Sequence, residues 1–172
     1  VRMMRIFCLL FLALLPLISD LSLAMNDVIT AKFEDGVSIA VDLGEAVKII
    51  EHQQETSFET KGKPSYVASG NVKITELSGA NSDKNNQRSW TMVQLPPGSS
   101  TVKHSHNVAT EDHYAVTEVT IERAGKEHHL QAGQFIKVTP RTAHKIKNNT
   151  NKNAILLVKS TPAGLRSDLS TE

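Results

Sequence analysis

Three histidines and one glutamate fall at spacings that suit a metal site. His104-Ser105-His106 follows Gly98 with five residues between, Glu111 follows His106 with four residues between, and His144 lies further on. Side chains two apart on a strand point to the same side, so His104 and His106 can both reach one point inside a sheet. A carboxylate and a third imidazole arriving on other strands complete an N3O donor set. Such a set suits one divalent transition-metal ion (manganese, iron, nickel, zinc or copper) better than calcium or magnesium, which prefer all-oxygen shells. Adjacent open positions on that ion can take a small oxygen-donor molecule.

Other residues stand near this constellation. His113 lies two residues after Glu111 and on a regular strand shares its side, where a non-ligand imidazole can act as general acid or base. Arg141 lies in the loop that leads to His144 and can hold a carboxylate by a bidentate pair. These two are the candidate catalytic residues. Asn148 either hydrogen-bonds a ligand or closes a turn before Asn149-Thr150-Asn151. Val102, Ala115, Phe135 and Ile146 are candidates for an apolar pocket wall. Lys145 and Lys147 alternate with His144 and Ile146 and face outward, and the adjacent His128 and His129 read as surface residues.

The elements that must position these side chains are strands. Val28 to Phe33 and Val37 to Leu43 are β-rich runs split by a Glu34-Asp35-Gly36 hairpin signal. Glu45 to Glu51 fits either a strand or a short helix. Tyr66 to Leu77 reads as a strand pair broken near Gly70, and Ser78 to Ser89 as a polar, turn-rich loop. Trp90 to Leu95 ends at Pro96-Pro97-Gly98, which turns the chain. Shorter runs follow at Val102 to His106, Tyr114 to Glu122, His128 to Leu130, Phe135 to Val138, His144 to Asn148 and Ala154 to Ser160. Short strands punctuated by turn residues favour an all-β sandwich or barrel.

Between Gly98 and Asn148 the chain resembles the cupins. Gly98, His104, His106 and Glu111 stand in register with the first cupin motif, with Glu118 where its last glycine belongs. Gly133, His144 and Asn148 match the second, with Thr139 in place of its proline and Arg141 in place of its second glycine. All ligand positions are kept, and the departures fall on turn residues, where glycine supplies positive φ at low cost. The resemblance implies an all-β double-stranded β-helix, a jelly-roll barrel, with the metal inside near one mouth. It also implies dioxygenase, decarboxylase or isomerase chemistry on a small oxygen-rich or carboxylate substrate, or a non-catalytic small-ligand or metal-binding module.

A chain of 172 residues suits a single well-buried domain. Residues 1–24 read as a signal peptide: Arg2 and Arg5 precede an apolar run from Ile6 to Ile18, and Ser22-Leu23-Ala24 offers a cleavage site. Residues 25–62 form a β-rich N-terminal extension, 63–162 the jelly-roll, and 163–172 a flexible tail. Cleavage after Ala24 removes Cys8, the single cysteine, so no thiol remains for a disulfide or as a ligand. It also removes Arg2, Arg5 and Asp20, taking the net charge from +1 to zero. A neutral chain argues against nucleic acid as a partner. The expectation is a periplasmic or secreted bacterial protein, with no membrane contact after cleavage, a small-molecule partner and a homodimer. The dimer follows from the spare β-rich arm, whose edges need covering.

Overall fold

The computed structural model describes residues 28–43, 45–79, 87–163 and 168–171. The signal peptide expected at 1–24 lies outside them, as does most of the Ser78–Ser89 loop. The strands in chain order are β1 (Val28–Lys32), β2 (Ser38–Asp42), β3 (Ala46–Glu51), β4 (Gln54–Glu59), β5 (Ser65–Ala68), β6 (Val72–Ser78), β7 (Ser89–Leu95) and β8 (His104–His106). They continue as β9 (Thr110–Ala115), β10 (Val119–Arg123), β11 (Lys126–Leu130), β12 (Phe135–Val138), β13 (His144–Lys147), β14 (Ala154–Thr161) and β15 (Leu169–Thr171).

They form three antiparallel sheets. The first is the meander β1-β2-β3-β4; a six-stranded sheet runs β12-β9-β14-β7-β6-β5; a five-stranded sheet runs β11-β10-β13-β8-β15. The five- and six-stranded sheets face each other as a double-stranded β-helix but share no strand pairing, so the expected barrel is open along its seams.

The six-stranded sheet is covered on both faces, and its strands show why. In β14 the residues Ala154, Ile155, Leu156, Leu157 and Val158 are all buried, the unbroken apolar run expected of a strand with no solvent face. Ile155 and Leu157 point to the first sheet and pack with Trp90, Met92, Tyr114, Ile39 and Ile49. Leu156 and Val158 point the other way, into the inter-sheet space, with Val93, Leu95, Ala115 and Ile146. The first sheet therefore acts as an outer layer. Its buried residues alternate, as Ile39 and Val41 in β2 and Val47 and Ile49 in β3 show, because only one of its faces is covered.

Three expectations need correction. The run Tyr114 to Glu122 is two strands. The Val116 and Thr117 amides both donate to the Ile155 carbonyl (3.0 and 3.1 Å), and the Ile155 amide donates to Thr117 Oγ1 (2.8 Å). There the chain leaves β14 and crosses to the other sheet. Phe135 packs against the first sheet with Tyr114, at a centroid distance of 5.2 Å, instead of lining the inner space. The tail is not wholly frayed: β15 pairs with β8, placing Leu169 opposite His106 and Thr171 opposite His104.

Gly133, the first glycine of the second motif, sits at φ +86, and a Cβ there would lie 2.7 Å from the Lys32 carbonyl oxygen. Gly133→Ala meets both a left-handed backbone and a main-chain clash at the end of β1. It should cost about 1–3 kcal/mol of stability, read as a lower urea midpoint. The motif position held by Arg141 also keeps a left-handed backbone, at φ 60, whereas Glu118 is not among the positive-φ residues. Glu118 therefore replaces glycine without the backbone strain expected of it.

Candidate metal centre

Two sheets bring the donors together. The short strand β8 pairs with β13 so that His104 and His144 stand directly opposite one another. Strand β9 supplies Glu111 from the facing sheet. One ligand atom from each of His104, His106, Glu111 and His144 lies within 4.8 Å of every other. His106 Nε2 is 3.2 Å from Glu111 Oε1, and His144 Nε2 is 3.2 Å from Glu111 Oε2. Both imidazole nitrogens are buried and neither makes a hydrogen bond. Buried polar atoms without partners are costly, and a cation among them would satisfy both at once.

The tautomers fit the same reading. His104 Nδ1 contacts the Val102 carbonyl at 3.0 Å and His144 Nδ1 the Thr142 carbonyl at 3.1 Å. A carbonyl can only accept, so each Nδ1 carries the proton and each Nε2 lone pair is left free for a metal. Burial, reinforced by the neighbouring His144, pushes the His104 pKa down to about 4, so this imidazole is unprotonated at neutral pH. Burial pushes Glu111 up, but close contacts with His106, His113 and His144 outweigh it and hold the carboxyl well below the usual range. Burial alone would lower His106, yet Glu111 and Asp168 raise it. An ionised Glu111 beside a neutral His104 suits a divalent cation, and binding of that cation would displace any proton held on His106.

The donors open on a cavity of about 960 Å³ whose lining includes His104, His106 and Glu111. Its walls are mostly apolar, with Ile74, Val93, Ile146 and Val158 toward the interior and Tyr66, Val102 and Leu169 nearer the surface. Hydroxyls of Thr91 and Ser160 add neutral polarity. A family model described as "Cupin domain" matches residues 91–159, the stretch that holds every one of these donors. Residues 91–159 thus match the cupin-domain model over the stretch that carries the site.

A predicted oxalate decarboxylase from Thermotoga maritima superposes with a TM-score of 0.55 at 22% identity, covering 60% of this chain and 96% of that one. KdgF from a Halomonas species gives 0.53 at 13%, over 62% of this chain and 93% of its own. The Lactobacillus farciminis oxalate decarboxylase gives 0.59 at 16%, covering 67% of this chain and 35% of that larger one. At these identities the likeness establishes the fold. A search of curated protein sequences returned no match.

Around the candidate site the other singled-out residues separate by role. His113 is fully buried beside the donors, lines the cavity, and its Nε2 donates to Glu111 Oε2 at 2.9 Å. Ser160 Oγ donates to the other oxygen, Oε1, at 3.1 Å. The two hold the carboxylate at both ends. Arg141 is exposed and does not line the cavity; its main-chain N–H donates to the His106 carbonyl at 2.6 Å. Asn148 closes a turn: its buried amide donates to the carbonyls of Leu95, Pro96 and Lys152, and its Oδ1 accepts from the Thr150 amide and hydroxyl. Lys147 points outward to Glu122 and Glu127, while His128 is partly and His129 largely exposed.

Ser160 and Asp168 escaped the sequence reading. Ser160 had a signal: two residues beyond Val158, it is a polar residue on the inward parity of an apolar strand. Asp168, in a polar tail, had none.

Proposed function

We propose that this chain is an exported, mononuclear metal-dependent enzyme that takes a small oxygen-donor molecule onto its ion. The carrying observation is the convergence of His104, His106, Glu111 and His144 within 4.8 Å at the wall of a largely apolar cavity. The leader pattern at residues 1–24 supports export. A divalent ion held there supplies Lewis acidity toward a carboxylate, carbonyl or enol oxygen. The chain's own residues do the rest. His113 and Ser160 fix the orientation of Glu111, and the buried Val93, Ile146 and Val158 exclude water from the bound molecule's apolar part. Dioxygenase, decarboxylase and isomerase chemistry all fit an ion-centred site of this kind.

A second reading, a non-catalytic binding module, has one observation in its favour. The Nε2 of His113 is committed to Glu111, which takes that nitrogen out of service as a protein acid or base at the substrate. Metal analysis of protein purified from its native compartment, followed by calorimetry with mono- and dicarboxylates, tests both. The enzyme reading expects about one ion per chain, metal-dependent carboxylate binding, and consumption of O2 or release of CO2 or an isomer. Tight metal-dependent binding with no product by mass spectrometry would establish the module instead. Protein with no bound metal and no uptake from solution would sink both.

A further inference from the structure

Two of the three site histidines are oriented by their own strands. His104 and His144 each donate Nδ1–H to the carbonyl two residues earlier. His106 has no such partner: its buried Nδ1 makes no hydrogen bond. The acceptor facing it is Asp168 Oδ2, at 3.5 Å, from the residue immediately before β15.

That carboxylate is itself held in place. Asp168 Oδ1 accepts from the Val108 amide at 2.7 Å and Oδ2 from the Ala109 amide at 3.0 Å. Its main-chain carbonyl accepts from the Asn107 amide at 2.9 Å and the Asn107 side chain at 3.2 Å. Strand β15 then runs beside β8, with Leu169 opposite His106 and lining the cavity. An aspartate from the far end of the sequence is thus fixed behind the one imidazole that lacks an orienting acceptor.

We infer that Asp168 is the positioning residue for His106. It accepts the Nδ1 proton, so that the Nε2 lone pair is presented toward Glu111 and the metal, as in the carboxylate–histidine–metal arrangement of many metal sites. The C-terminal strand is then part of the site. At 3.5 Å the contact is longer than a good hydrogen bond, and a movement of a few tenths of an ångström makes one. The inference rests on the metal-binding reading, but its first observable, the His106 tautomer, can be read with or without metal.

The test compares the wild type with Asp168→Asn and Asp168→Glu. Long-range 1H–15N spectra of the imidazoles report the tautomers, and competition titrations with zinc(II) and manganese(II) report affinity. Asparagine keeps one oxygen for a main-chain amide but has no second acceptor for His106. The expected result is loss of the Nδ1–H form at His106 alone, His104 and His144 unchanged, and metal affinity down by about 10–100-fold, with partial recovery in Asp168→Glu. An unchanged His106 tautomer overturns the inference. So does a shift of all three histidines together with loss of circular dichroism, which would mark Asp168 as only holding the turn at residues 107–109. A wild type that binds neither metal but shows the His106 tautomer selectively tied to Asp168 would overturn the metal reading while the orienting contact stands.

Discussion

His144→Ala is expected to abolish stoichiometric metal binding. Its ring is fully buried and stands centrally, with centroids 4.2 Å from His104, 5.8 Å from His106 and 5.2 Å from His113. Loss of an outer partner typically weakens a metal site by about 10–100-fold, and removal of a donor should exceed that. Among the described residues the cluster comprises only His104, His106, Glu111 and His144; His113 Nε2 is bound to Glu111, and His128 and His129 do not line the cavity. The measurement is metal content by elemental analysis after dialysis, together with the affinity for zinc(II). Lys145→Ala is the control, because alternation along β13 sends residue 145 to the opposite face. Wild-type occupancy in His144→Ala would remove this residue from the ligand set.

The candidate cluster was legible because metal chemistry constrains residue type and spacing together. The pair His104 and His106 reads from strand parity alone, and Glu111 and His144 follow from the motif register. The strand boundaries were legible where turn residues are distinctive, as at Glu34-Asp35-Gly36, where Val37 N donates to Asp35 Oδ1 at 3.1 Å. Elsewhere the sequence carries too little contrast. Strand β4 has no apolar alternation, since all but one of its residues are exposed. Tyr114 to Glu122 reads as one run because the crossover residues Val116 and Thr117 are as β-prone as the strands they separate. The facing of Phe135 depends on which side of the six-stranded sheet the first sheet covers, which local pattern cannot register.

The N-terminal extension has a role that its sequence did not disclose, and deleting residues up to 62 should show it. The first sheet covers Trp90, Met92, Tyr114, Ile155 and Leu157 on the outer face of the six-stranded sheet. At about 1.5–3 kcal/mol for each large apolar side chain buried, exposing all five forfeits an amount comparable to the roughly 5–15 kcal/mol by which a whole domain is stable. Polar contacts are lost as well. Tyr114 donates its hydroxyl proton to Asp35 Oδ2 at 2.8 Å, and the mostly buried Lys159 pairs with Glu51 at 3.0 Å. Every donor of the metal centre lies outside the deleted segment, so a site independent of its scaffold would survive the truncation. The expected outcome is different: a chain that aggregates or elutes as a large species, binds a hydrophobic dye, and shows no cooperative thermal transition. Strand β9 explains why the site fails along with the fold. Tyr114 faces the first sheet while its neighbour His113 faces the metal centre and holds Glu111, so the strand that seats the carboxylate is clamped from the opposite side. A monomeric truncation with wild-type metal affinity would show that the two facing sheets hold the donors without that clamp.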